Sequence, residues 1–206
     1  MVNEALRGGW PAAGAEPALS EARIRRYARH IVLPEIGGIG QARLLDSAVL
    51  VIGAGGLGSP LLLYLAAAGV GRIGVVDDDV VEASNLQRQI LHGLADVGRP
   101  KVDSALDRLA GLSPDVDVVR HRLRLDTGSA GALVGDYDLV ADGSDNLATR
   151  LAVHDACRRA GRTLVSASVQ GTYGQLSTFK SHLGPPHPCL RCLYPDDPAE
   201  QQLPTC

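Results

Sequence analysis

The sequence predicts a doubly wound α/β domain with a mostly parallel sheet, and three observations support this fold class. Short apolar segments typical of strands alternate with segments whose apolar residues recur at helical spacing. A glycine-rich turn joins the first of these strands to a helix. Aromatic residues make up only 3% of a chain that is 45% hydrophobic, so Val, Leu, Ile and Ala must build the core, as in a sheet covered by helices.

Each element has its own signals in the sequence. Ser20 is placed to cap a first helix, which Pro34 must end. A short helix leads into strand one, and the helix after the glycine turn closes at Gly69 as a C-cap. The last strand alternates polar and apolar residues and is expected to pair antiparallel. The predicted strands cover about 48–52, 72–77, 116–121, 137–143, 162–169 and 171–180, and the longer helices about 57–68, 99–114 and 146–161.

Length and composition limit the domain organisation and the classes of partner. We expect a flexible leader at 1–19, one main domain at 20–181 and a Pro-rich loop segment at 182–206. The net charge of -3 and the pI near 6.0 do not indicate a nucleic-acid surface. No stretch approaches the roughly 18 apolar residues of a membrane span, and no secretory signal or disulfide scaffold is recognisable. We therefore expect a cytoplasmic protein with neither a membrane nor a nucleic acid as partner.

The stretch "VIGAGGLGSP" at 51–60 carries the spacing G-x-G-x-x-G. Gly53 permits the tight turn, Gly55 lets a phosphate approach the backbone, and Gly58 lets the helix pack close to the strand. Asp77 ends strand two, 19 residues after Gly58, where its carboxylate can accept hydrogen bonds from both ribose hydroxyls. These residues fit NAD as well as other phosphate-bearing ligands, and a turn without any ligand is the alternative.

Two cations that follow fit a dehydrogenase poorly. "SNLQRQ" places Asn85 and Arg88 on a short helical piece, and Lys101 stands in the first turn of the next helix. A cation there opposes the helix dipole, and this local cost suggests an anion from outside. The planar fork of Arg88 and the compact charge of Lys101 suit a triphosphate, although both could also be solvated surface cations.

A polar cluster, "ADGSDN" at 141–146, lies at the carboxyl end of strand four. In a doubly wound sheet, this strand end forms the far wall of the ligand crevice. Asp145 would face the phosphates, where a carboxylate makes sense chiefly if it holds Mg²⁺. Helix capping by Ser144 or Asp145 is the alternative. A glycine turn, two cations and an acid that converge on one crevice describe a nucleoside triphosphate with magnesium.

Cysteines mark a second candidate site. Cys189 and Cys192 in "CLRC" have the spacing of half a zinc site, and a structural zinc needs four ligands. Thioredoxin-like chemistry would need a strand-to-helix junction, whereas this motif lies in a Pro-rich segment. His187 is near in sequence, but a loop histidine is more often solvated, and Cys157 is expected to be a buried small side chain.

With these residues assembled, the chain resembles the ubiquitin-activating-like adenylyltransferases typified by the bacterial MoeB, ThiF and HesA proteins. The matching motifs run in order from "RYARHIVLPEIGGIGQARL" through "GAGGLGS", "SNLQRQILH", "VGRPKV" and "GSDN" to "CLRC", roughly 26–206. The resemblance implies an ATP-binding, Rossmann-like domain, usually in a homodimer. It also implies adenylylation of the C-terminal glycine of a small ubiquitin-like sulfur-carrier protein, in molybdopterin or thiamin synthesis.

The resemblance implies a role for each motif residue. The glycine loop and Asp77 would hold the nucleotide, Asn85, Arg88 and Lys101 would contact its phosphates, and Asp145 would bind Mg²⁺. Arg29 would reach into the partner subunit's site, although the sequence alone shows only a charge in a basic helix. Cys189 and Cys192 would hold Zn²⁺, and Cys206 in "LPTC" resembles the crossover-loop cysteine that in some members links covalently to the carrier. The implied nucleotide-binding set is Gly53, Gly55, Gly56, Gly58, Asp77, Asn85, Arg88, Lys101, Asp145 and Asn146.

The sequence departs from the family at its end. Family members continue for several tens of residues with a second C-x-x-C, so we expect this chain to be a fragment or a shortened form with an incomplete zinc site. Two further hypotheses stay open. An NAD(P)-binding oxidoreductase would share the fold but lacks an obvious catalytic His, Tyr or Lys set after strand four, and a non-catalytic scaffold would only bind partners.

Overall fold

The structure is a computed structural model, and it describes residues 19–194. The expectations for the leader, for Cys206 and for the end of the Pro-rich segment concern residues outside this range. The chain forms two compact units, Met1–Arg43 and Leu44–Cys206. The boundary between them falls within a helix, α3 (Gly37–Asp46).

The described part of the first unit consists of short helices. α1 (Glu21–Arg26) begins after Ser20, whose hydroxyl oxygen accepts a 3.4 Å hydrogen bond from the N–H of Arg23. α2 (Ala28–Ile31) follows and ends ahead of Pro34, so the predicted first helix is divided in two. Nδ1 of His30 lies 2.8 Å from Oε1 of Gln41, which ties α2 to α3.

A six-stranded sheet with the order β3-β2-β1-β4-β5-β6 forms the centre of the second unit. The first five strands pair parallel, and β6 pairs antiparallel with β5. This topology confirms the predicted fold class, including the antiparallel pair near the C-terminal end. The strands are β1 (Ala48–Ile52), β2 (Arg72–Val76), β3 (Asp117–His121), β4 (Leu139–Asp142), β5 (Thr163–Gln170) and β6 (Tyr173–Phe179).

Helices cover both faces of the sheet, and β1 shows how the sequence divides them. Val49 and Val51 pack in the cluster that includes the buried residues of α4 and α5. Leu50 and Ile52 point to the opposite face and pack with α6 and α7. The helices of this unit are α4 (Gly58–Ala68), α5 (Lys101–Leu112), α6 (Ser129–Val134), α7 (Leu147–Ala160) and α8 (Leu190–Leu193), with short 3₁₀ turns at Ala83–Asn85, Leu94–Asp96 and Ser181–Leu183.

Two helices differ from the sequence expectation. α6 was not predicted because its six residues, "SAGALV", are too few to show a helical period. It is begun instead by Asp126, whose Oδ1 accepts hydrogen bonds from the N–H groups of Gly128 and Ser129. α8 is a single turn inside the segment predicted as loop, and Leu190 anchors it in the core at 3% exposure.

Candidate functional site

A cleft of about 760 Å³ opens at the carboxyl ends of the parallel strands. Chain order in the sheet reverses at β1, which has β2 on one side and β4 on the other. The segments that follow these strands diverge there, and doubly wound sheets bind ligands at such a switch point. The cleft walls are the glycine turn after β1, the acidic residues after β2, the loop after β4 and part of the β5–β6 hairpin.

In the glycine turn, Gly53 and Gly58 serve backbone geometry and packing, whereas Gly55 and Gly56 form part of the cleft surface. Gly53 adopts φ +88°, a left-handed conformation that a side chain would strain. A Cβ on Gly58 would lie only 1.8 Å from the carbonyl oxygen of Gly53, so this glycine allows α4 to pack against the turn. Gly55 and Gly56 line the cleft and have ordinary space around them. The backbone at these two positions is therefore open to a ligand.

Asp77 follows β2 and faces the glycine turn. Its Oδ2 accepts a 2.8 Å hydrogen bond from the N–H of Ala54, and its Oδ1 accepts one of 2.9 Å from the N–H of Asp79. Burial raises the pKa of Asp77 above its usual range, and the charge of Lys101 opposes this effect. Each carboxylate oxygen keeps a second lone pair, so the group can still accept a ligand hydroxyl.

Lys101 begins α5 and is buried, with its ammonium group among acids. Nζ lies 2.7 Å from Oδ2 of Asp79 and 4.0 Å from Oδ1 of Asp77. The sequence suggested an outside anion to explain this cation in a first turn, and the structure supplies counter-ions from the chain itself. The side chain of Asp79 is 67% exposed, so water could solvate its carboxylate if another anion replaced it on Lys101.

Arg88 passes over the glycine turn, in the segment after the 3₁₀ turn that contains Asn85. Its side-chain carbons would lie 3.6 Å from a Cβ placed on Gly56. One guanidinium nitrogen donates a 2.9 Å hydrogen bond to Oδ1 of Asn85. Asn85 does not line the cleft, so its contact with Arg88 orients the guanidinium.

The loop after β4 forms the opposite wall. Asp145 is exposed, and its Oδ1 accepts a 3.4 Å hydrogen bond from Nδ2 of Asn146. Asn146 caps α7, since its Oδ1 accepts a 2.8 Å hydrogen bond from the N–H of Thr149. Capping, which the sequence assigned to Ser144 or Asp145, thus belongs to Asn146. Asp145 is left free for a ligand or a cation.

The acid behind this loop, Asp142, belongs to the polar cluster predicted at 141–146, although the sequence assigned it no role of its own. It is 2% exposed, and its Oδ1 accepts a 2.9 Å hydrogen bond from the N–H of Ser144. Its Oδ2 and the hydroxyl of Ser144 are buried without a hydrogen-bond partner among the described residues. Burial raises the pKa of Asp142, which favours the protonated carboxyl.

The cleft gathers most, but not all, of the sequence-predicted residues. Gly58 and Asn85 do not line it: Gly58 packs against Gly53, and Asn85 contacts Arg88. Arg29 is exposed on α2 in the other unit, and Cys206 lies outside the described residues. Arg150 was missed, although it lies one turn into α7 and two of its nitrogens donate to the carbonyl of Ser144, at 3.0 and 2.6 Å. The predicted residues on the cleft are Gly53, Gly55, Gly56, Asp77, Arg88, Lys101, Asp145 and Asn146, and the missed ones include Arg124, Arg150 and Tyr194. Gln89, from the same short segment as Arg88, also lines the cleft.

The two cysteines of "CLRC" lie together at α8. Their Sγ atoms are 3.1 Å apart, and the N–H of Cys189 donates a hydrogen bond to Sγ of Cys192. The contact between the two sulfurs and this N–H bond both lower the pKa of the Cys192 thiol. The segment is held by His154, whose Nε2 accepts a 3.2 Å hydrogen bond from the N–H of Leu190. Cys157 is buried as expected, and burial raises its pKa to about 12.

The sheet order and the cleft define a Rossmann-type α/β domain with a ligand site at its switch point. The chain belongs to the ThiF family, whose sequence model matches residues 27–206. This confirms the resemblance inferred from the motifs.

Several curated relatives are about half identical to this chain. They include MoeZ of Mycobacterium tuberculosis, described as a probable adenylyltransferase/sulfurtransferase, at 50% identity over 92% of this chain and 48% of the relative. The adenylyltransferase and sulfurtransferase MOCS3 of Bos taurus is 53% identical over 92% of this chain and 41% of its own length. The SAMP-activating enzyme E1 of Haloferax volcanii is 47% identical over 92% of this chain and 68% of its own length. The chain thus spans about half the length of the first two.

Solved structures show the same fold. The tRNA N6-threonylcarbamoyladenosine dehydratase TcdA of E. coli, in complex with AMP, matches with a TM-score of 0.67 and 26% identity over 73% of this chain and 61% of its own. MccB of E. coli with ATP matches with a TM-score of 0.63 and 26% identity over 69% and 44%. PaaA, at 22% identity and a TM-score of 0.75 over 96% and 62%, supports the fold alone. Within residues 19–194, no helix has the length and apolar character needed to cross a bilayer.

Proposed function

We propose that this protein uses ATP to adenylylate the C-terminal glycine of a ubiquitin-like sulfur-carrier protein, in sulfur transfer for molybdopterin or thiamin biosynthesis. One observation carries the proposal: a single cleft brings together the open glycine turn, Asp77, Arg88, Lys101 and Asp145, from three neighbouring strand ends. The names of the relatives, which are adenylyltransferases and a SAMP-activating enzyme, support the same reaction class.

The cleft fits a nucleoside triphosphate in size and in chemistry. Its volume of about 760 Å³ lies within the usual range for small-ligand pockets. The turn backbone at Gly55 and Gly56 lines the cleft and can approach phosphates, and the N-terminus of α4 favours an anion. Asp77 stands at the end of β2, where ribose hydroxyls can donate to it.

The reaction needs alignment and charge neutralisation more than a general base. The carrier's terminal carboxylate is already ionised, and one of its oxygens would form a bond to the α-phosphorus. The bond from that phosphorus to the β-phosphate oxygen would break, and pyrophosphate would leave with the electron pair. Arg88 and Lys101 would hold the charge that develops. A contributor such as Arg88 would account for about 3–4 kcal/mol, or about 10²- to 10³-fold in rate.

Asp145 fits a magnesium ligand, because it is an exposed carboxylate on the cleft wall opposite the cations. When bound, Mg²⁺ would neutralise charge on the phosphates. The carboxylates of Asp77, Asp78 and Asp79 also lie within 4.8 Å of one another. Since the ammonium of Lys101 already contacts two of these acids, we assign magnesium to Asp145.

Two parts of the proposal involve residues beyond the cleft. A homodimer would bring Arg29, exposed on α2, into the partner subunit's site. Cys189 and Cys192 fit half of a tetrahedral Zn²⁺ site, since their thiols lie together and the Cys192 pKa is lowered. The other two ligands would have to lie outside residues 19–194, because no further cysteine or histidine of the described residues joins this pair. We place the reaction in the cytoplasm.

ATP–pyrophosphate exchange with candidate carriers that end in Gly-Gly tests the proposal. Exchange should depend on the carrier, and Asp145→Ala should abolish it, whereas the matched control Asp107→Ala, on an exposed face of α5 outside the cleft, should retain it. Exchange that survives Asp145→Ala would remove the magnesium assignment. Stronger protection from thermal unfolding by NAD than by ATP would favour an oxidoreductase, and ATP binding without exchange would favour a non-catalytic scaffold.

A further inference from the structure

A buried histidine, His92, joins the glycine turn to the helix that carries Lys101. Its Nε2 lies 3.0 Å from the carbonyl oxygen of Ala54, the residue between Gly53 and Gly55. Its Nδ1 lies 2.8 Å from Oγ of Ser104, which is one turn into α5. His92 is 7% exposed and Ser104 is 1% exposed, so water does not compete for these bonds.

The two partners fix the protonation state of the ring. A backbone carbonyl can only accept, so Nε2 of His92 must carry the proton that it donates to Ala54. In the neutral ring Nδ1 then accepts, and the hydroxyl of Ser104 donates to it. Burial has the largest effect and lowers the pKa of His92, and the nearby charge of Lys101 lowers it further. The hydrogen bond to the Ala54 carbonyl and the charges of Asp77 and Asp96 oppose this shift. The ring is therefore neutral at pH 7.

Ala54 is held from its other side as well. Its N–H donates a 2.8 Å hydrogen bond to Oδ2 of Asp77, and the hydroxyl of Ser59 makes a longer 3.3 Å hydrogen bond to its carbonyl. With both polar groups of this residue bonded, the peptide planes on either side cannot rotate freely. These planes lead directly into Gly55 and Gly56, whose backbone faces the cleft.

We infer that His92 is a positioning residue that sets the orientation of the glycine turn relative to Lys101. It acts through Ala54 on one side and through Ser104 on the other, and does not itself line the cleft. The identity of the ligand as ATP rests on the proposed function. The positioning role predicts that loss of the His92 bonds weakens phosphate binding while the fold persists.

Equilibrium binding of ATP without a carrier tests this role independently of catalysis. His92→Phe keeps an aromatic ring but removes both hydrogen bonds, and it should raise the Kd for ATP about tenfold, the effect of one or two buried hydrogen bonds. His92→Gln can still donate to the Ala54 carbonyl and should recover most of the affinity. Ser104→Ala should give a smaller increase in Kd, because it removes the bond to Nδ1 and the Ser104 contact with Asp96 but leaves the bond of His92 to Ala54 in place.

A matched control separates positioning from loss of stability. Val134→Ala removes buried methyl groups from α6, which does not line the cleft, so it should lower the melting temperature and leave the Kd for ATP unchanged. If His92→Phe melts lower but binds ATP like wild type, the residue is merely structural and the inference fails. Binding effects as expected, together with no exchange by wild type for any carrier, would refute the proposed reaction and leave the positioning role intact.

The pH dependence gives a second readout. Protonation of His92 would turn Nδ1 into a donor and force the Ser104 hydroxyl to rotate. Because burial holds the pKa of His92 below the usual histidine value, ATP affinity should stay constant down to about pH 6.5 and fall only at lower pH. The phosphates of ATP titrate in the same range, but they do so equally in every variant. The ratio of Kd values for wild type and His92→Gln should therefore change with pH, and a constant ratio would contradict the role of the ring.

Discussion

Gly58 and Gly56 belong to the same motif, yet the structure predicts opposite consequences when each is replaced by alanine. A Cβ on Gly58 would lie 1.8 Å from the carbonyl oxygen of Gly53 and 2.8 Å from its carbon, where real contacts are essentially never under 3.0 Å. The start of α4 or the turn must therefore move by about an ångström or more. Because the obstructing atoms are backbone, no side chain can rotate to relieve the contact.

The magnitude follows from two opposing effects. Overpacking of this kind costs about 3 kcal/mol, and alanine recovers up to about 1 kcal/mol by its better helix propensity. The net loss of about 2 kcal/mol in the free energy of unfolding should lower the melting temperature of a chain this long by about 4–8 °C. A Cβ on Gly56 would instead meet only the side chain of Arg88, at 3.6 Å or more, so Gly56→Ala should melt within about 2 °C of wild type.

Binding should show the reverse order. The methyl group of Gly56→Ala would stand on the cleft surface where the backbone would approach a phosphate, and should raise the Kd for ATP at least about tenfold. Differential scanning fluorimetry and isothermal titration calorimetry of both variants give the two readouts. A Gly58→Ala protein with wild-type melting would refute the steric argument, and a Gly56→Ala protein with wild-type affinity would refute the use of this backbone by the ligand.

Three further predictions concern buried titratable side chains. Lys101→Met should lower the free energy of unfolding, measured by urea denaturation, by about 1–2 kcal/mol. This is less than the loss expected for a fully buried ion pair, because one partner, Asp79, is exposed. Unchanged stability would show that the ion pair contributes nothing to the free energy of unfolding. The raised pKa of Asp142 means that its ionisation costs stability as the pH rises above about 3.8. Asp142→Asn should therefore gain stability relative to wild type between pH 4 and 7. A difference in the free energy of unfolding between variant and wild type that stays constant with pH would contradict this. The lowered pKa of His154 means that the neutral ring contributes fully to the free energy of unfolding above about pH 6.5. This contribution is lost as the pH falls, by at most about 1.4 kcal/mol per pH unit. The stability of His154→Gln should therefore decline less steeply than that of wild type between pH 6.5 and 5.

The sequence predicted the elements whose signals are local. The strand, glycine turn and helix at 48–68 could be predicted because a buried apolar run, a fixed glycine spacing and the C-cap Gly69 all lie within one segment. α6 escaped because its start depends on a side-chain cap from Asp126, and six residues carry no readable period. α8 escaped because one turn in a Pro-rich segment is stabilised by core contacts of Leu190.

The candidate site was predictable in its residues but less so in their interactions. Strand ends that meet at one edge brought Asp77 and Asp145 to the same cleft, as the topology required. The ion pair of Lys101 with Asp79 could not be predicted, because it joins a strand end to a helix start 22 residues later, and no local pattern sets that distance. The clamp of Arg150 on Ser144 shows the same limit, since an arginine on a helix surface resembles any solvated cation in sequence.

The two cleft cations are held in different ways, and this difference bears on how a triphosphate would bind. Lys101 is buried and already paired, so an incoming phosphate must displace Asp79 from its ammonium group. Displacing Asp79 costs little free energy, because its side chain is 67% exposed and water can solvate the carboxylate once it leaves Lys101. Arg88 is exposed, and among residues 19–194 its guanidinium donates to Asn85, so it can adjust its position as the phosphates arrive. Phosphate binding should therefore be set first by the buried charge of Lys101, and Arg88 should contribute most where charge develops during reaction, since its exposed side chain has room to follow the leaving pyrophosphate.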